Sequence, residues 1–148
     1  MTPDVGVVLG GIVRTLLTEL APELRTPYAT MTAQLMGTLL LMASQEADRA
    51  AARLVEENDV LRALFADAEP VVAEHTLGAD LRASLATPPC ALTVSALRER
   101  NARLRALLVR LHAHVEALDG PAARVLEERI WAELVTSTER RRLDLALA

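Results

Sequence analysis

The chain contains no lysine: all sixteen of its basic residues are arginine, set against twenty Asp and Glu. The resulting net charge of −4 argues against a general nucleic-acid binder, which needs a positive footprint to release counterions from phosphate. A single cysteine, Cys90, cannot close an internal disulfide and gives no sign of an oxidising compartment. One Tyr, one Trp and one Phe leave little aromatic surface, so the core must be built from Leu, Val, Ala and Met. That supply is rich in helix formers. Sustained alternation of apolar and polar residues is missing throughout, and no sheet is expected. Gly-x-Ser-x-Gly, Cys-x-x-Cys and a Gly-rich phosphate loop are also absent. The "LGG" at 9–11 lies inside an apolar helical pattern, without the strand that a dinucleotide turn requires.

What is present is a half-apolar chain of 148 residues, of a size that folds as one domain with its own core. A single helical domain over 1–148 is expected. "TPD" at 2–4 reads as a cap followed by proline. After it a helical stripe runs through Val5, Val8, Leu9, Ile12, Val13, Leu16, Leu17 and Leu20, until Pro22. "TPY" at 26–28 repeats the signal and opens the longest pattern, broken by nothing but Gly37 before Ala68. A helix of about forty residues would measure about 60 Å, so it must bend or project as a hairpin arm. One helix or two is left open.

Pro70 resets the chain, and "PVVAEHTLGADLRASLATPP" reads as a short helical element around Gly78. A further helix is expected from about Leu92 to Leu118. "DGP" at 119–121 stops it and starts the last, through "AARVLEERIWAELVTSTERRRL". The fold class predicted is all-α: an antiparallel up-and-down helical bundle with four principal helices and one short extra helical element.

A phrase occurs twice. "LVEENDVLRALF" at 54–65 and "LRERNARLRALL" at 97–108 share seven of twelve positions. Leu97, Leu104, Leu111 and Leu118 recur every seventh residue as d, which puts Val94, Asn101, Leu108 and Val115 at a. The earlier copy places Leu54 and Leu61 at d, with Ala51, Asn58 and Phe65 at a. Each seam holds one asparagine at a, a device that fixes register at some cost in stability. The stretch 46–59 is acidic and 98–110 is basic. An antiparallel pairing of the two would let these flanks meet and let Asn58 and Asn101 join amide to amide. Compositional coincidence is the competing account of the repeat.

The segment from Thr26 to Gln45 carries no charge. It is long enough to span a bilayer, but Thr30, Thr32, Gln34, Thr38 and Gln45 favour a buried helix. A surface helix of a monomer shows one polar face, and this one offers water only Thr, Gln and Ser. A second subunit is the economical cover, so a homodimer is predicted through Met31, Leu35, Met36, Leu39 and Met42. Gly6, Gly10, Ala33 and Gly37 would allow close backbone approach. The same Met-rich stretch is compatible with an apolar ligand pocket between helices.

Chemistry-bearing groups are few. "HAHVE" sets His112 and Glu116 at i and i+4 on one helical face, a spacing that suits two metal ligands, with Glu74 and His75 as further candidates. The Glu-x-x-His pattern of di-iron bundles is absent. A solvated flank is the ordinary reading of His112, and no cofactor is expected. Cys90 has no base beside it in sequence to generate a thiolate. "ERRRLD" at 139–144 reads as the positive end of a helix. The arginines of 98–110 lack stacking aromatics and face acidic counterparts, so no nucleic-acid partner is expected. An acidic residue stands where a signal peptide carries basic ones, which predicts a cytoplasmic protein without a membrane partner.

The passage "LLTELAPELRTPYATMTAQLMGTLLLMASQEADRAAARLVEENDVLRALF", roughly residues 16–65, resembles a group of short all-helical bacterial proteins of unassigned function that accompany acyl-CoA dehydrogenase-like enzymes. The likeness lies in an L-x-P-x-L helix end leading into a long apolar helix. The chain departs from the group at Thr30 and Gln34, where an arginine and an asparagine are usual. The resemblance implies an accessory protein and carries over no catalytic residue. The function expected is a non-catalytic, self-associating accessory or scaffolding partner of another protein. A small-molecule- or metal-binding bundle is the alternative.

Overall fold

A computed structural model of the chain describes residues 3–72 and 76–143. The protein is all-α, with no strand among the described residues. Helix α1 spans Val5–Thr15. Its cap is Asp4, whose Oδ1 accepts from the N–H groups of Gly6 at 2.8 Å and Val7 at 3.2 Å; Thr2 lies outside the described residues. The helix then widens into a π turn, Leu16–Leu20, and tightens into a 3₁₀ turn, Ala21–Glu23, around Pro22. A proline has no N–H to give the preceding turn and crowds its carbonyls, which ends the helix.

Helix α2 is continuous over Pro27–Ala68, 42 residues. Thr26 caps it, its Oγ1 accepting from Ala29 N–H at 3.2 Å. The single interior glycine costs about 1 kcal/mol relative to alanine, too little to break so long a run of helix formers. After a 3₁₀ turn at Glu69–Val71 come α3 (Thr76–Ala86), α4 (Val94–Val115) and α5 (Pro121–Arg140). Thr93 caps α4, and Gly120 enters α5 with φ +118°.

The chain divides into two compact units. One ends at Ala50 and takes back the chain at Arg142; the other is Ala51–Arg141. The first is a helical hairpin. Gly6 faces Ser44 and Leu17 faces Gly37, so the two arms run in opposite directions. A Cβ on Gly37 would come within 2.9 Å of Leu17 Cδ2, so any larger residue here would have to displace the Leu17 side chain. Of the 21 buried apolar residues among those described, only Val13, Ala21, Ala33 and Ala50 belong to this unit. The hairpin has almost no core of its own.

The second unit holds the core. Leu61, Leu64 and Phe65 of α2 pack with Leu77, Leu81, Leu104, Leu108, Leu111, Leu126 and Ile130. Helix direction follows from side-chain contacts. Glu57 meets Ser137, and Asp67 meets Arg129, so α5 runs counter to α2. Arg105 meets Ser137 and His112 meets Trp131, so α5 also runs counter to α4. The two copies of the repeated phrase therefore point the same way, in register, which corrects the antiparallel expectation. Helix α3 runs counter to both α2 and α4. Its Leu85 carbonyl accepts from Arg62 at 2.7 Å, and Arg82 pairs with Glu69. Against α4, Asp80 meets Arg110, while the Pro88 carbonyl just beyond α3 meets Arg100.

Candidate functional site

Among the described residues sixteen large apolar side chains stand exposed, and eleven of them lie between Val5 and Leu39. The concentration singles out the hairpin, because scattered exposed leucines are ordinary whereas a contiguous apolar face is not. Met31, Leu35, Met36 and Leu39, four of the five residues expected at an interface, are 54–61 % exposed; Met42 is half-buried. Steps of four residues put Met31, Leu35 and Leu39 on one helical face. Beside them lies an apolar groove of about 780 Å³ between the arms of the hairpin. Val8, Ile12, Leu16 and Leu20 form one wall, and Met36, Leu39 and Leu40 the other.

Sequence reasoning placed the interface on α2 alone. The wall from α1 and the π turn was visible in the stripe Val8, Ile12, Leu16, Leu20, but an amphipathic stripe by itself does not say whether it faces a core or stays open. By length and composition, Val5–Glu23 is apolar enough to cross a membrane, with 11 % of it buried. Arg14 is exposed near its middle.

In the second unit the seam positions are placed as a packed layer. Leu97, Leu104 and Leu111 are buried, and so are Asn58 and Asn101. Asn101 Nδ2 donates to Asn58 Oδ1 at 3.0 Å, and Asn58 Nδ2 donates to the Leu97 carbonyl at 3.3 Å. The amides meet within one chain, on parallel helices.

The partner that sequence reasoning missed is Glu57, 1 % exposed. Arg141 grips it with two bonds, Nε to Oε1 at 3.0 Å and Nη2 to Oε2 at 2.7 Å. Ser137 Oγ donates to Oε1 and Asn101 Nδ2 to Oε2, both at 3.1 Å. Arg105 donates to Ser137 at 3.1 Å and so closes the network. Burial pushes the Glu57 carboxyl up, but the Arg141 guanidinium, with Ser137 and Asn101, outweighs burial and holds it below the usual carboxylate range.

The acidic flank of α2 is thus met by the end of α5. Arg140 pairs with Glu56 at 2.9 Å and with Glu133 at 2.8 Å. "ERRRLD" does more than complete a helix terminus. In the basic stretch of α4, Arg103 pairs with Glu99 and Arg110 with Asp80. A signal for this network existed: Ala123, Leu126, Ile130, Glu133 and Ser137 are buried at steps of three and four along α5, and the last two are polar.

His112 and Glu116 close the last turn of α4, with His112 Nε2 3.5 Å from Glu116 Oε1. Glu74 and His75 lie outside the described residues. The His112 ring meets Trp131 edge-on, centroids 5.1 Å apart. Cys90 is a half-buried free thiol.

The fold and these sites define an all-helical protein with one well-packed helical unit and one apolar hairpin. No protein-family model matches the chain, and no curated protein or solved structure is significantly similar to it.

Proposed function

We propose that the chain self-associates through the apolar face of the hairpin formed by α1 and the first half of α2, and acts as a non-catalytic accessory or scaffolding partner of another protein. The observation that carries this is a hairpin with four buried apolar residues and eleven large exposed ones. A second copy laid against the face buries the ridge Met31, Leu35, Leu39 in the groove beside it. Each fully buried Leu or Met contributes about 1.5–3 kcal/mol, and a two-fold interface uses every contact twice. A bilayer would cover the same face, but Arg14 near the middle of the apolar run opposes insertion. An arginine at the bilayer centre costs at least about 2.5 kcal/mol. The accessory role follows the resemblance over residues 16–65.

We also read Ala51–Arg141 as an antiparallel up-and-down four-helix bundle, supported by the alternating directions of α2, α3, α4 and α5. In that reading the bundle is the stable platform and the hairpin is the sticky arm. The measurement is native mass spectrometry of the untagged protein, with Leu39→Arg beside it. The wild type is expected at dimer mass and the variant at monomer mass, with unchanged helical circular dichroism. A monomeric wild type, or a variant that stays dimeric, overturns the proposal. So does a wild type that floats with phosphatidylcholine vesicles while remaining monomeric in solution.

A further inference from the structure

We infer that the junction of α4 and α5 binds a divalent transition-metal ion of the zinc class, through His112, Glu116 and Glu127. This site is in the second unit and is independent of self-association. Ligand atoms of the three side chains all lie within 4.8 Å of one another. Two come from successive turns at the end of α4, and the third from the second turn of α5. The five-residue connection between the helices holds them together, with Gly120 at φ +118° making the reversal.

The second observation is the state of the imidazole. His112 Nε2 is buried and has no hydrogen-bond partner among the described residues. Buried polar atoms are nearly always satisfied, so a nitrogen with the Glu116 carboxylate no nearer than 3.5 Å leaves a place for an electrophile. The Trp131 ring stands beside the imidazole at 87° to its plane.

The geometry fits. Zinc bonds of about 2.0–2.2 Å in a tetrahedral site put neighbouring ligand atoms about 3.4 Å apart. His112 Nε2 and Glu116 Oε1 already stand at 3.5 Å. Closing the wider separations requires rotation of the Glu116 and Glu127 side chains, and Glu116 is 53 % exposed on its side-chain surface. One nitrogen with two carboxylates suits zinc, manganese, cobalt or iron(II); magnesium and calcium prefer oxygen alone. Three protein ligands leave a fourth position for water. The ion would clip the end of α4 to the start of α5.

The test is isothermal titration of Zn²⁺ into the untagged, chelator-treated protein, with the Co²⁺ absorption spectrum as an independent readout of ligand geometry. Variants are His112→Ala, Glu127→Gln and Glu116→Gln, with His114→Ala as the local control. One ion per chain is expected, together with a tetrahedral Co²⁺ spectrum. His112→Ala should weaken binding at least about 100-fold, since even outer-shell changes cost 10–100-fold. His114→Ala should leave it within about threefold. Glu116→Gln, at an exposed position, keeps the test valid should His112→Ala fail to fold. Absence of stoichiometric binding overturns the inference. So does binding that survives both His112→Ala and Glu127→Gln, or that depends on His114 instead.

Discussion

Replacing Arg141 by alanine should reverse the pH response of the Glu57 network. In the wild type the folded Glu57 carboxyl is held below its ordinary value near 4.5. A depressed carboxylate contributes stability above its unfolded pKa and loses it as pH falls through the folded value. Between pH 7 and 5 its contribution is therefore flat. Without Arg141, burial is the strongest influence left on Glu57, opposed by the weaker donors Ser137 and Asn101. The folded pKa then rises above the unfolded one, and stability is present at low pH and lost as pH rises through it.

The size follows from burial. Glu57 is 1 % exposed, whereas the Arg141 side chain is 44 % exposed, so losing the arginine strands the charge that cannot reach water. Breaking a buried pair costs about 3–5 kcal/mol. Protonation sets a ceiling: at pH 7, neutralising a carboxyl of ordinary pKa near 4.5 costs about 3.4 kcal/mol, and at pH 5 about 0.7. The gap between wild type and Arg141→Ala should thus shrink on going from pH 7 to 5, by at most about 2.7 kcal/mol. Urea unfolding followed by Trp131 fluorescence reports this unit alone, because Trp131 is the only tryptophan. The midpoint difference should close by at most roughly 1–2 M. Glu57→Gln with Arg141→Ala has no carboxyl to titrate and should show no such closing. A gap that is equal at both pH values would refute the reasoning, because it would mean that Glu57 is solvated.

Arg62 donates to the carbonyls of Ser84 at 3.0 Å and Leu85 at 2.7 Å, and so caps the end of α3 from α2. Arg62→Met should cost about 1–3 kcal/mol and raise amide exchange in the last turn of α3, with α5 unchanged. Gly120 sits at φ 118°, ψ 169°, backbone open essentially to glycine alone. Gly120→Ala should cost about 1–3 kcal/mol, read by thermal unfolding, while glycine-to-alanine at Gly11, where a Cβ meets nothing within 4 Å, should be neutral or stabilising. Leu39→Arg tests the hairpin face as stated above, by mass.

Much of the fold was legible because helix punctuation is local. Thr26 with Pro27 and Gly120 with Pro121 mark helix starts by backbone chemistry that needs no tertiary partner, whereas α4 starts at Val94 behind its Thr93 cap, two residues after the expected Leu92. The seam of α4 was also legible, since period alone places Leu97, Leu104 and Leu111 on one face. Glu57 was not. A glutamate beside a seam asparagine looks like any solvated flank until α5 brings Ser137 and Arg141 against it, 80 and 84 residues away. Glu127 was hidden for the same reason, being ordinary on α5 and notable only beside His112.

The sequence by itself determined that the chain is helical, where most of its helices start and stop, and that residues 26–45 offer water almost nothing. Those properties rest on local propensity, capping and composition. Tertiary structure alone decided that the two repeated phrases run parallel, that Glu56 and Glu57 of the first are met by the end of α5, and that the hairpin presents its apolar face uncovered. Direction and partnership depend on how distant segments pack, and a periodic stripe carries the same pattern whichever neighbour it meets.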